Sequence, residues 1–287
     1  MQTRTLGRHN VRLSAIGFGG IVLADRPQPD ADAEVAAAID RGLTYFDVAP
    51  QYGDAQQRMG PALQPFRDRV TLACKSLHRD AKRVAADLDD SLKKLRTDHF
   101  DIYQLHGVPS LEEAEQCLAP GGALEAVLKA RDAGKVRLVG FSAHDEPAAL
   151  RLIQTDQFDT VLYPLNYRAI HSGAFGPGVL EAAHQRGMGI LALKAMARAR
   201  LTPDLDRPYP KCWYAPEDDP ALAHLLLRYT LNLPGVAAAL PPGDPGLFNL
   251  ALDLADASLE PLTPAELDTL ATAYPESQTP APIFPAP

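Results

Sequence analysis

Four residues that can move or hold a proton stand at the ends of apolar runs: Asp47, Tyr52, Lys75 and His106. Asp47 closes Leu43-Thr44-Tyr45-Phe46, and Tyr52 follows in DVAPQYGDA. Lys75 closes Val70-Thr71-Leu72-Ala73-Cys74, and His106 follows Ile102-Tyr103-Gln104-Leu105. A phenol titrates near about 10, so a bare tyrosine is a reluctant acid or base. A lysine ammonium beside it favours the phenolate and lowers its pKa, and a carboxylate fixes and neutralises that lysine in a semi-buried site. A histidine adds a hydrogen bond to a substrate oxygen or shares the proton, and the sequence leaves its protonation state open. Together they suit proton transfer to a carbonyl oxygen as hydride arrives at its carbon.

Each residue also has an ordinary explanation: a loop cap for Asp47, rim packing for Tyr52, a solvated strand end for Lys75, a satisfied loop histidine for His106. Their recurrence on three consecutive predicted strand ends favours a shared site.

The elements that must position them alternate β-type apolar runs with longer helical segments, the pattern of a parallel α/β sheet. Strands are expected at 13–19, 43–48, 70–75, 100–105, 136–142, 160–163, 188–193 and 236–240. Helices are expected at 30–41, 82–95, 124–133, 177–185 and 220–231, several ending in a helix-stop pair such as Arg41-Gly42, Ala133-Gly134 or Arg186-Gly187. Eight strand-helix repeats without a linker-like break favour a (β/α)8 TIM barrel, whose chemistry gathers at the C-terminal strand ends. A doubly wound sheet would want Gly-x-Gly-x-x-Gly after its first strand, and Gly17-Phe18-Gly19-Gly20-Ile21 lacks that spacing. The expected organisation is one barrel over 1–274, opened by a short hairpin, with a proline-rich tail at 275–287. A long irregular segment at about 198–219 carries Tyr209, Trp213 and Tyr214, a pocket wall or a loop core of its own.

Composition is that of a globular chain, with 46% hydrophobic and 22% charged residues. A net charge of -8 argues against nucleic acid or an anionic membrane surface as the main partner. Cys74, Cys117 and Cys212 lack metal-like spacing and read as reduced thiols. The first residues lack a signal-peptide core and no apolar run approaches the ~18 residues of a membrane span, so the expected location is the cytoplasm.

Gly17-Phe18-Gly19, the segment Phe46-Asp47-Val48-Ala49-Pro50-Gln51-Tyr52-Gly53, Lys75 and Asp101-Ile102-Tyr103-Gln104-Leu105-His106 resemble the aldo-keto reductases over nearly the whole chain. The resemblance implies that Tyr52 is the general acid, that Lys75 and Asp47 tune it, and that His106 orients a carbonyl. It implies NADP(H) or NAD(H) as cofactor, a small-molecule carbonyl as substrate, and cofactor contacts from Gly20, Asp47, Ser142, Asn166, Lys194 and Gly243.

Ser142, in Gly140-Phe141-Ser142-Ala143-His144, resembles a carboxamide contact, with Ala143 where the family usually has asparagine; a hydroxyl there could instead cap the helix starting near Glu146. Asn166 is assigned to the same pocket or to a turn. Lys194, in Leu193-Lys194-Ala195-Met196, resembles the variant whose lysine approaches the pyrophosphate, and Leu193 leaves the nicotinamide-stacking role unfilled. In Pro241-Pro242-Gly243-Asp244-Pro245, Asp244 reads as an N-cap and Pro245 as the first helical residue. Pro242 and Phe248 stand where many members place the Lys and Arg that grip a 2'-phosphate, so the choice between NADP and NAD stays open.

Two other functions compete. A catalytically weak cofactor-binding or redox-sensing barrel would have no need of a tuned acid. A metal-dependent hydrolase would need clustered ligands, and His78, His144 and His171 are scattered without paired spacing. No metal is expected, and the oligomeric state is not legible.

Overall fold

The structure is a computed structural model that describes residues 1–171, 175–201 and 207–275. It divides into two compact units, one of Met1–Ile16 with Tyr163–Pro287 and one of Gly17–Leu162. The chain opens with the expected hairpin, β1 (Thr3–Thr5) antiparallel to β2 (Arg12–Ser14). Its turn glycine, Gly7, has φ +53, and a Cβ there would lie 2.4 Å from the Met188 carbonyl carbon of the same unit. Only glycine lets the hairpin lie that close.

In the Gly17–Leu162 unit the strands are β3 (Phe18–Gly19), β4 (Tyr45–Asp47), β5 (Thr71–Ser76), β6 (Phe100–Val108), β7 (Val136–Ala143) and the start of β8 (Thr160–Pro164). Between them run α1 (Gln28–Asp40), α2 (Ala55–Leu63), α3 (Ala81–Lys94), α4 (Leu111–Leu118), α5 (Ala123–Asp132) and α6 (Glu146–Ile153). Every residue of β5 is buried, as both faces of a helix-covered parallel sheet require.

The other unit continues with α7 (Tyr167–His171), α8 (Pro177–Gln185), β9 (Gly189–Leu193), β10 (Ala197–Ala199), β11 (Ala215–Pro216), α9 (Pro220–Leu231), β12 (Val236–Leu240), α10 (Pro245–Ala257) and α11 (Pro264–Ala273). The eight-stranded sheet has the order β12-β9-β8-β7-β6-β5-β4-β3, so neighbours follow the chain apart from the short β10-β11 pair, a separate two-stranded sheet.

The expected strand at 13–19 does not form as one element. Ser14 Oγ donates to Ile16 O at 2.6 Å, Ile16 makes a single parallel bridge to Ala239, and strand structure resumes only at Phe18. The apolar run hides this break because the hairpin arm and the sheet strand are equally buried. The helix stops fall where expected: Gly42, Gly134 and Gly187 have φ of 84, 77 and 62. Each follows a helix's last residues in the left-handed conformation that ends it.

The segment at about 198–219 is not wholly irregular, since β10 pairs antiparallel with β11. Tyr214 is buried against Ala197 and Phe175, so it belongs to a loop core. Trp213 is 61% exposed. The tail from residue 276, with Ile283 and Phe284, lies outside the described residues. Among the described residues, no helix is long and apolar enough to cross a membrane.

Candidate active site

β4, β5 and β6 are neighbours in parallel register, with Asp47 opposite Ala73 and Lys75 opposite Gln104. In such a sheet paired residues share a face, which turns the Asp47 and Lys75 side chains to the same side. Lys75 Nζ donates to Asp47 Oδ1 in a pair closed to solvent. The phenol of Tyr45 donates to Asp47 Oδ2 at 3.4 Å. Burial pushes the Asp47 carboxyl up, and Lys75 opposes the rise. Burial works to lower the Lys75 pKa, but Asp47 and Tyr52 outweigh it and the ammonium ends above its ordinary value. A buried ion pair of this kind persists because each charge compensates the other.

Tyr52 is carried on a tight turn after β4. Its N–H donates to Ala49 O at 3.2 Å, and Gly53 follows with φ +58, the left-handed conformation glycine adopts freely. Asp54 anchors the turn, accepting from Asp25 N at 2.7 Å and pairing with Arg58 at 2.8 Å. Lys75 Nζ lies 5.4 Å from the Tyr52 ring centroid. The expected lowering of the Tyr52 pKa is reversed in balance. Burial raises it, Lys75 pulls it down through charge and a hydrogen bond, and burial prevails. The phenol therefore holds its proton at neutral pH.

His106 stands edge-on to Tyr52, ring centroids 6.3 Å apart at 89°. Burial first, then the charges of Lys75, His144 and Arg79, hold its pKa well below the usual imidazole value. The ring is neutral, which resolves the question the sequence left open. Its Nδ1 lies 3.3 Å from Gln51 Oε1. The main chain at this point is gripped by Arg79, which donates to His106 O at 3.0 Å and Gly107 O at 3.1 Å and pairs with Glu113 at 2.6 Å. The structure thus brings Asp47, Tyr52, Lys75 and His106 together within one unit. Tyr45, Gln51 and Arg79 are partners the sequence reading missed. Only Tyr45 carried a signal: two residues before Asp47 on one strand, it must share that residue's face.

The residues assigned to a cofactor divide between the units. In the Gly17–Leu162 unit, Gly20 is close-packed, since a Cβ there would lie 2.8 Å from Val48 Cγ2. Ser142 Oγ accepts from Gly107 N at 2.8 Å and retains its own hydroxyl proton to donate. It does not cap the following helix; Asp145 does, accepting from Ala148 N at 2.8 Å.

In the other unit, Asn166 Oδ1 accepts from Ala169 N at 2.8 Å, the turn role, while its fully buried Nδ2 has no partner among the described residues. An orphaned buried donor is costly and suits a group carrying a carbonyl acceptor. Lys194 has φ 63, and its ammonium lies 6.0 Å from the Tyr214 ring centroid; burial pushes its pKa down to about 7. Gly243 is buried, and its N–H and that of Asp244 act on the Cys212 thiol. Asp244 caps α10 as expected, accepting from Gly246 N at 2.8 Å and Leu247 N at 3.1 Å.

The histidines weighed for a metal have other surroundings. His78 Nε2 lies 3.8 Å from Asp87, and His171 stacks on Tyr167 with its Nε2 3.0 Å from the Tyr229 hydroxyl. The backbone N–H of His144 donates to Val108 O at 3.3 Å. Among the described residues no group of three or more His, Cys, Asp or Glu could hold a metal ion.

The Aldo/keto reductase family model matches residues 15–275. Aldo-keto reductase YhdN of Bacillus subtilis (strain 168) is 29% identical over 161 residues, which are 50% of this chain and 47% of that protein, so the match spans about half that relative's length. Methylglyoxal reductase YeaE of Escherichia coli (strain K12) is 30% identical over 278 residues, 93% of each chain. A solved aldo-keto reductase from Klebsiella pneumoniae in complex with NADPH superposes with a TM-score of 0.71 at 25% identity, covering 99% of this chain and 98% of that one. That likeness gives the fold as a (β/α)8 barrel of the α/β class. With a family match over residues 15–275, from just before β3 to beyond α11, the chain belongs to the aldo/keto reductase family.

Proposed function

We propose that this chain is an NAD(P)H-dependent carbonyl reductase in which Tyr52 protonates the oxygen of an aldehyde or ketone. The observation that carries the reading is the buried Asp47-Lys75 pair set against a phenol that keeps its proton. A nicotinamide cofactor, when bound, would supply the hydride. Tyr52 gives its proton to the developing alkoxide, and the Lys75 ammonium stabilises the phenolate left behind. Asp47 keeps that ammonium charged inside a dry site.

His106, being neutral, holds one ring proton. If Gln51 turns its amide N–H toward Nδ1, the proton stays on Nε2 and points a donor at the carbonyl oxygen. In its own unit the Ser142 hydroxyl suits a carboxamide. In the other unit the unpartnered Asn166 Nδ2 suits a carbonyl acceptor, and Lys194 suits a phosphate charge. The named activity of the Escherichia coli relative, methylglyoxal reduction, supports a small carbonyl as substrate class.

The test follows consumption of NADPH and NADH with a panel of aldehydes and ketones by the wild type and by Tyr52→Phe. Turnover in the variant is expected to fall about 10²–10⁴-fold, the usual contribution of a positioned acid, with cofactor affinity kept. Undiminished turnover would remove Tyr52 from the reaction.

A further inference from the structure

One rung of the sheet carries Lys75 on β5, Gln104 on β6, Gly140 on β7 and Thr160 on β8, each paired with the next, all within the Gly17–Leu162 unit. Residues on one rung of a parallel sheet face the same way, so Gln104 and Thr160 share the face of Lys75. Both are fully buried. Yet Gln104 Nε2, Gln104 Oε1 and Thr160 Oγ1 have no hydrogen-bond partner among the described residues. An amide and a hydroxyl shut away from solvent do not stay unpaired without cost, and a polar gap is where proteins keep internal water.

The two groups approach a common point over Gly140. A Cβ on that glycine would lie 2.3 Å from Thr160 Oγ1 and 3.1 Å from Gln104 Cγ, so no larger residue could stand between them. Next along the rung, the Lys75 ammonium has three N–H donors. Asp47 Oδ1 takes one and Tyr52 a second, which leaves a third directed away from the carboxylate.

We propose that an ordered internal water sits between the Gln104 amide and the Thr160 hydroxyl, accepts the third N–H of Lys75, and makes Gln104 and Thr160 positioning residues for the acid pair. A water there would make about three hydrogen bonds, the number typical of buried water. It would satisfy an amide, a hydroxyl and an ammonium at once. The inference rests on the proposed reading of Lys75 and Tyr52. The groups acting electrostatically on Lys75 are Asp47, Tyr52 and Cys74, with His106 among those that feel its charge.

The experiment combines a crystal structure of the whole chain, at a resolution that shows ordered water, with kinetics of Thr160→Val, Thr160→Ser and Gln104→Met. The expected density is one water within bonding distance of the Gln104 amide, Thr160 Oγ1 and Lys75 Nζ. Thr160→Val and Gln104→Met, both near-isosteric, should fold with little change in Tm, yet lose about tenfold in kcat at unchanged cofactor KM, roughly one hydrogen bond to a charged group. The alkaline limb of their kcat profile should move to lower pH, because an ammonium that has lost an acceptor gives up its proton sooner. Thr160→Ser should restore both. A dry gap, or variants with the wild-type pH profile, overturns the proposal. Density for the water alongside full activity of Tyr52→Phe instead sinks the catalytic reading and leaves the water site standing.

Discussion

The ammonium of Lys75 and the carboxylate of Asp47 form an ion pair in which each residue is only 1% exposed. Removing one partner strands the other charge, whereas removing both does not. Asp47→Asn is expected to lower the unfolding free energy by about 3–5 kcal/mol, read from denaturant titration. The double variant Asp47→Leu with Lys75→Met should recover much of that loss while remaining inactive. Equal destabilisation in single and double variants would mean that packing, not charge, holds this part of the sheet.

The Gln51 side chain lies 3.3 Å from His106 Nδ1 and is exposed, so changing it should spare the fold. In Gln51→Glu a carboxylate can only accept, so the half-turn that brings the Gln51 amide N–H to Nδ1 is lost, the ring proton is held on Nδ1 and Nε2 is unable to donate. Carbonyl reduction should fall about tenfold or more with Tm unchanged. Wild-type kcat in this variant would show that the tautomer of His106 does not matter.

The depressed pKa of His106 has a definite sign for stability. An unfolded histidine titrates near about 6.5, so below that pH the unfolded chain binds a proton that the folded chain refuses. Stability should therefore decline as pH falls from about 6.5 toward the lower folded value. His106→Asn should remove this share of the slope of Tm against pH between 7 and 5. Parallel slopes in the two proteins would contradict a neutral imidazole.

Lys194 is half-buried and its pKa is pushed down to about 7. Below that pH it is a cation and above it increasingly neutral. If it meets the cofactor's phosphates, the Kd for NADPH and NADH should weaken as pH rises from 6 to 8, and Lys194→Met should be weaker but flat across the range. Fluorescence titration of the reduced cofactor at constant ionic strength gives the comparison. Identical pH dependence in both proteins would detach Lys194 from the cofactor.

Much was legible in the amino-acid order, because local chemistry dictates it. The strand at Val236–Leu240 and the helices at Pro177–Gln185 and Pro220–Leu231 fall where their apolar runs and stop signals put them. The left-handed glycines at 42, 134 and 187 end their helices for a reason internal to each segment. Asp47, Tyr52, Lys75 and His106 stood out because their residue types recur at successive strand ends. Tertiary structure decided what depends on register and burial. Only the pairing of β5 with β6 sets Gln104 beside Lys75, and only the fold of the chain carries Gln51 to His106. Burial turned the expected lowering of the Tyr52 pKa into a rise, and it fixed His106 as neutral. The break after Ser14 escaped the sequence because hydropathy records that a residue is buried but not which partner buries it.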